Sequence, residues 1–225
     1  MKPLIIPTML VKTSSAAKER LQLLGKTARW IQWDIMDGSL TPHTSWRDVE
    51  TVLDWKIFPY LELHLMVKNP ETLIRSWRRV SQVSRVIWHI EAPIDHARLI
   101  KQCQRWNLEV GLAISPHTPI AALIPFLRQI DTVLVLGVVP GENGASLIPA
   151  TIQTVRDLKK LLPKLPIGFD GGIKPTNLLR LKRAGVTRFN IGSAIFQSTD
   201  PVKTLKQLQK KASSTATTRS RKITK

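Results

Sequence analysis

A single cysteine, Cys103, leaves no intramolecular disulfide to hold the fold, so the chain must rely on its own core. Nothing in it approaches the run of about 20 apolar residues that a membrane-spanning helix needs. The short apolar stretch near Met1 is interrupted by Pro3 and Pro7 and has no small-residue cleavage site, so it does not read as a secretory leader. These absences predict a soluble, cytoplasmic protein that does not associate with membranes. Acid is also scarce: 16 Asp and Glu stand against 34 Lys and Arg, a formal net charge of +18. Eight of the basic residues lie after Asp200, with no acidic residue among them. Such a surplus attracts polyphosphates through counterion release. A basic tail, together with solvated helix faces such as that carrying Arg75, Arg78 and Arg79, accounts for it without a nucleic-acid function, so nucleic acid is not the expected partner. From Ala212 the sequence is rich in Ser and Thr and loses apolar periodicity. A disordered tail (212–225) behind one folded domain (1–211) is expected.

What is present is alternation. Short β-rich apolar runs occur at Leu4–Met9, Trp30–Asp34, Tyr60–Leu65, Arg85–Ile90, Glu109–Ile114, Thr132–Leu136, Pro166–Phe169 and Arg188–Ile191. Between and after them, helical spacing predicts Ser14–Leu24, Ser45–Trp55, Pro70–Val80, Ile94–Trp106, Pro119–Leu127, Pro149–Leu162, Pro175–Ala184 and Pro201–Lys211. Several open with proline near the first turn, where its missing N–H costs nothing, and Ala184-Gly185 supplies a C-terminal stop. Eight β-α units in about 210 residues suit a single closed (β/α)8 TIM barrel better than an open doubly wound sheet.

A barrel gives every strand end a common face, and polar residues collect there. Asp34 closes the second run and Asp170 follows the seventh; His64 ends the third, and His89 and Glu91 lie at the end of the fourth. Taken singly, Asp37-Gly38 and Asp170-Gly171 read as turns, His89 as a satisfied core histidine, and Met36 and Met66 as packing. Convergence on one rim argues for a site. The two aspartates would face each other across the barrel mouth. Gly171-Gly172 and Gly192-Ser193 follow the last two strands, where barrels often bind phosphate through backbone N–H groups. A third glycine-bearing loop, from Val139 through Gly141 to Gly144, suits a lid. Together these loops predict a phosphorylated substrate.

The order and spacing of these motifs resemble the ribulose-phosphate 3-epimerases over nearly the whole chain, to about Phe196. The likeness rests on Trp30-Ile31-Gln32-Trp33-Asp34-Ile35-Met36-Asp37-Gly38, Leu63-His64-Leu65-Met66-Val67-Lys68-Asn69-Pro70, His89-Ile90-Glu91-Ala92, Gly111-Leu112-Ala113-Ile114-Ser115-Pro116, Asp170-Gly171-Gly172-Ile173 and Gly192-Ser193-Ala194-Ile195-Phe196. The resemblance implies a barrel of the ribulose-phosphate-binding type. It also implies epimerisation of D-ribulose 5-phosphate to D-xylulose 5-phosphate, a step of the pentose phosphate pathway. Asp34 and Asp170 match the two proton-transfer groups, since inversion at one carbon needs a group on each face. With His64 they also match ligands of a divalent metal, Zn²⁺, Mn²⁺, Fe²⁺ or Mg²⁺, which stabilises the enediolate. Met36 and Met66 match apolar residues lining the site, and Gly141, Gly144, Gly171, Gly172, Gly192 and Ser193 the substrate- and phosphate-binding loops.

Departures from the family pattern fall inside the site. Gln32 stands where the family has a second metal-binding histidine, Val11 where it has a serine, Leu136 where it has a methionine, and Val139 where it has an asparagine. An amide oxygen is a harder, weaker donor to zinc than imidazole, so metal affinity should fall or preference move toward Mn²⁺, Fe²⁺ or Mg²⁺. Alternative readings are an epimerase for another ketose phosphate, a related sugar-phosphate enzyme, or a non-catalytic sugar-phosphate-binding relative. Asp34-Ile35-Met36-Asp37 lacks the lysine of the Asp-x-Lys-x-x-Asp arrangement in related decarboxylases. The sequence leaves room for a homo-oligomer.

Overall fold

The structure, a computed structural model, describes residues 2–141 and 145–214. Its strands β1 (Leu4–Met9), β2 (Trp30–Met36), β3 (Tyr60–Met66), β4 (Val83–His89), β5 (Glu109–Ile114), β6 (Thr132–Leu136), β7 (Ile167–Asp170) and β8 (Arg188–Ile191) close into one parallel barrel in chain order. Helices α1 (Ser14–Leu24), α2 (Val49–Leu53), α3 (Pro70–Trp77), α4 (His96–Arg105), α5 (Thr151–Leu161), α6 (Leu178–Ala184), α7 (Ser193–Phe196) and α8 (Pro201–Ser213) lie in the connections and after the last strand. Parallel strands cannot be joined by tight hairpins, and each crossover here carries a helix or a set of turns.

Alternation along the strands sorts the core into two compartments. Outward-facing residues such as Trp33, Leu63, Trp88, Phe169 and Phe189 are fully buried in the layer shared with the helices. Burying each such side chain is worth about 1.5–3 kcal/mol, so this layer is the main source of stability. The barrel interior holds a separate apolar cluster of Ile87, Ala113, Leu134 and Leu136. Much of the remaining interior is polar: Gln32, Glu62, His64, Arg85 and Asn190 are all buried.

Several expected elements differ. Pro119–Leu127 is not an α-helix; it forms a 3-10 turn at Ile120–Ala122 followed by irregular turns. Pro125 explains this, because it lacks an N–H and its ring clashes with a carbonyl four residues back. The helix expected over Ser45–Trp55 shortens to α2 because Asp48 caps it, accepting a hydrogen bond from the Glu50 N–H at 3.1 Å. Ser45 instead braces β2, accepting from the Met36 N–H and donating to the Asp34 carbonyl. The short α7 was not expected. Helix α8 runs two residues into the segment expected to be disordered: Ala212 is buried, and Lys182 Nζ donates to its carbonyl at 2.6 Å. The remainder of that tail lies outside the described residues.

Candidate active site

Strand register assembles the centre. Asp34 on β2 pairs directly with His64 on β3, and Asp170 at the end of β7 pairs with Asn190 on β8. The closed barrel then brings β2 and β7 side chains to the same point. His64 Nδ1 lies 3.0 Å from Asp34 Oδ1 and 3.7 Å from Asp170 Oδ2. Ligand atoms of Asp34, His64 and Asp170 lie within 4.8 Å of one another, a group that can hold a metal ion.

A chain of hydrogen bonds sets the protons on the imidazoles. Burial pushes the Glu91 carboxyl up, but hydrogen bonds from His89, Thr118 and the Ser115 N–H outweigh it and bring the pKa down to about 2. The ionised carboxylate therefore accepts from His89 Nδ1 at 3.1 Å. His89 Nε2 is left as the acceptor for His64 Nε2 at 3.0 Å, which turns the His64 Nδ1 lone pair toward Asp34. Burial holds both histidines below the ordinary imidazole value, so both stay neutral. Burial also pushes Asp34 up to about 7, partly opposed by its hydrogen bond from Gln32. Asp170 is raised to about 7 by burial and by the charge of Asp34. Two like charges this close cannot both be held cheaply, so the pair retains a proton near neutrality.

Beneath the aspartates lies a second polar layer. Gln32 Nε2 contacts all three members of the group above: Asp34 Oδ1 at 2.8 Å, Asp170 Oδ2 at 2.5 Å and His64 Nδ1 at 3.5 Å. Gln32 Oε1 accepts from Asn190 Nδ2 at 2.5 Å, and Asn190 Nδ2 also donates to Glu62 Oε1 at 2.8 Å. Glu62 is held in turn by Arg85 at 2.6 Å and Arg188 at 2.8 Å.

Above the centre opens a cavity lined by Asp34, His64, Met66, Leu136, Asp170 and Asn190 together with Gly171, Gly172, Gly192 and Ser193. Gly141 lines it as well, while Gly144 lies outside the described residues. Met36 sits buried behind this wall, its sulfur accepting from Thr41 Oγ1 at 3.3 Å. Val11 is buried and does not line the cavity; its carbonyl accepts from the Trp46 N–H. The structure thus brings together Asp34, His64, Asp170 and Gln32, with the last presenting N–H rather than a lone pair.

Sequence reading missed Arg20, which reaches the cavity from α1, stacking its guanidinium 4.6 Å from the Phe196 ring centre and donating to the Leu10 carbonyl. An arginine on a helix face, among many surplus cations, carries no distinguishing signal. It also missed the lower layer, although a signal existed. Gln32, Glu62, Arg85 and Asn190 each interrupt an apolar strand run at an inward position, and Arg188 opens β8.

Comparison with known proteins follows the same lines. The ribulose-phosphate 3-epimerase family model matches residues 4–196. The cytoplasmic isoform of ribulose-phosphate 3-epimerase from Oryza sativa subsp. japonica is 31% identical over 214 residues, covering 92% of each chain. The ribulose-phosphate 3-epimerase of Schizosaccharomyces pombe is 27% identical, covering 91% of this chain and 92% of its own. Among solved structures, orotidine 5'-monophosphate decarboxylase from Sulfolobus solfataricus superposes with a TM-score of 0.65 at 14% identity, covering 93% of this chain and 97% of its own. A mutant tryptophan synthase alpha-subunit from Pyrococcus furiosus gives 0.65 at 14%, covering 94% and 98%. At such identity these two show the barrel alone. The match over nearly all of the barrel, with the paired aspartates at its mouth, means that the chain belongs to the ribulose-phosphate 3-epimerase family.

Proposed function

We propose that this barrel epimerises D-ribulose 5-phosphate at C3 to D-xylulose 5-phosphate by proton transfer between Asp170 and Asp34. The observation that carries the reading is the convergence of the two carboxylates, from opposite sides of the barrel, on one point, with pKa values of about 7. In the forward direction Asp170 is the base: it takes the C3 proton, and the bonding pair moves into an enediolate. Asp34, whose proton the His64 Nδ1 lone pair holds in place, returns one to C3 from the opposite face. Each turnover leaves Asp170 protonated and Asp34 ionised, and exchange with solvent or reverse turnover restores the start. Near neutrality one group of each form is present, which matches general acid–base work at that pH.

The loops carrying Gly172, Gly192 and Ser193 would take the phosphate, with Arg20 as its counter-charge. A divalent cation, were the Gln32 amide turned away, would be held by Asp34, His64 and Asp170. Bound there it would supply positive charge to the enediolate oxygens. Gln32 does not complete the ligand set as it stands, because it turns donors toward that point. No step above needs the ion. Among the described residues no helix is long and apolar enough to cross a membrane, and we place the enzyme in the cytoplasm, as for the rice isoform.

The test is deuterium incorporation at C3 of ribulose 5-phosphate in D₂O, run beside a small panel of other ketose phosphates. Asp170→Asn and Asp34→Asn should each lower conversion to xylulose 5-phosphate by at least about 10³-fold, and exchange into ribulose 5-phosphate should be lost in Asp170→Asn, whereas Asp34→Asn keeps exchange on the face that Asp170 serves. Epimerisation at wild-type rate in either variant, exchange into ribulose 5-phosphate at wild-type rate in Asp170→Asn, or exchange at C3 of a different ketose phosphate only, would refute the assignment.

A further inference from the structure

The Gln32 amide is oriented from below. Glu62 can only accept, since Arg85 and Arg188 bind its carboxylate. Asn190 must therefore turn its Nδ2 toward Glu62, and the same nitrogen reaches Gln32. Gln32 must answer with Oε1, which leaves its Nε2 hydrogens for Asp34 and Asp170. The polarity is consistent at every link, and its cost is visible: Asn190 Oδ1 is buried without a partner among the described residues. Turning Gln32 over would set Oε1 against two carboxylate oxygens and Nε2 against Asn190 Nδ2. Asn190 cannot follow, because its oxygen would then meet Glu62 Oε1.

We propose that the Gln32 amide, locked by this Glu62–Asn190 relay, takes the place of the divalent cation between Asp34, His64 and Asp170, so that the centre as folded excludes the ion. The inference deepens the epimerase reading of the same site and rests on it only for the choice of substrate. Two N–H groups on one nitrogen hold the carboxylates together, as a shared cation would. The relay makes Asn190 and Glu62 positioning residues that act through Gln32. An ion entering the centre must break the Asn190–Gln32 bond or expel the Gln32 side chain.

The full-length protein, stripped with EDTA, is titrated calorimetrically with ZnCl₂ and MnCl₂, and Mn²⁺ binding is read independently by EPR. Two variants separate ligand addition from release of the lock. Gln32→His adds an imidazole and should tighten Zn²⁺ binding by roughly 100-fold. Asn190→Leu adds no ligand but lets the amide turn, and should tighten Mn²⁺ binding by roughly 10-fold, the scale of outer-shell effects on metal sites. Wild-type C3 exchange should survive chelation within about twofold. One Zn²⁺ or Mn²⁺ per wild-type chain surviving purification, with exchange lost on chelation and restored by the ion, would overturn the proposal. So would unchanged metal affinity in Gln32→His. If Asn190→Leu does not fold, wild type and Gln32→His still decide. Absence of exchange under all conditions, with the metal affinities in the expected order, would sink the epimerase reading and leave the relay supported.

Discussion

Arg20 faces the same cavity as the aspartates, next to the glycine loops, and is the cation best placed to meet a phosphate there. A charge-assisted hydrogen bond of this kind is worth about 1.5–3 kcal/mol. Arg20→Met should therefore lower kcat/KM for a ketose phosphate by roughly 10–100-fold, mainly through KM, while leaving exchange within the bound complex nearly intact. Steady-state kinetics checks this; an unchanged KM would mean that Arg20 only braces the Leu10 carbonyl and Phe196. At this scale the sequence was legible wherever position alone carries meaning. Asp34, His64 and Asp170 sit where apolar runs end, and a barrel converts that into proximity. The role of Gln32 was not legible, because which end of an amide faces the carboxylates depends on Asn190, 158 residues away in the chain.

At the scale of elements, strand positions were readable because a parallel barrel strand is buried on both faces and stands out as a short apolar run. Helix edges were less so: Asp48 and Asp95 act as caps, and each moves a helix start past the point that apolar spacing suggests. The loop after β7 shows what sequence could indicate but not measure. Gly172 has φ +66°, and a Cβ there would lie 2.6 Å from the backbone N and Cα of Leu147 in the preceding loop. Left-handed backbone costs an alanine roughly 1–2 kcal/mol, and the contact is with backbone, which cannot rotate away. Gly172→Ala should destabilise the fold by about 2–3 kcal/mol in urea denaturation and weaken ketose-phosphate binding, as the two loops separate. A loss below about 0.5 kcal/mol would show that the Leu147 segment yields freely.

For the molecule as a whole, polar chemistry is packed inside a barrel whose stability comes from its outer layer, so the centre reports itself through pH. Glu91 ties the end of β4 to the loop after β5 through Ser115 and Thr118, and it sets the proton on His89. Its folded pKa of about 2 lies below the ordinary value of 4.5. The unfolded chain therefore binds a proton first as pH falls, so the stability that Glu91 contributes is complete above about 4.5 and is lost on the way down to about 2. The buried histidines act in the same direction at higher pH, because the unfolded chain protonates them near 6.5 while the folded barrel resists. Their contribution is shared by wild type and a Glu91→Gln variant and largely cancels in the difference. At pH 7 the wild type should exceed Glu91→Gln by on the order of 2 kcal/mol, allowing for partial exposure of the carboxylate. The gap should close as pH falls through 4.5 toward 2, measured by urea denaturation at matched ionic strength. A gap that stays constant across that range would mean that the Glu91 contacts stabilise the barrel through shape alone, and the proton assignment on His89 and His64 would lose its anchor.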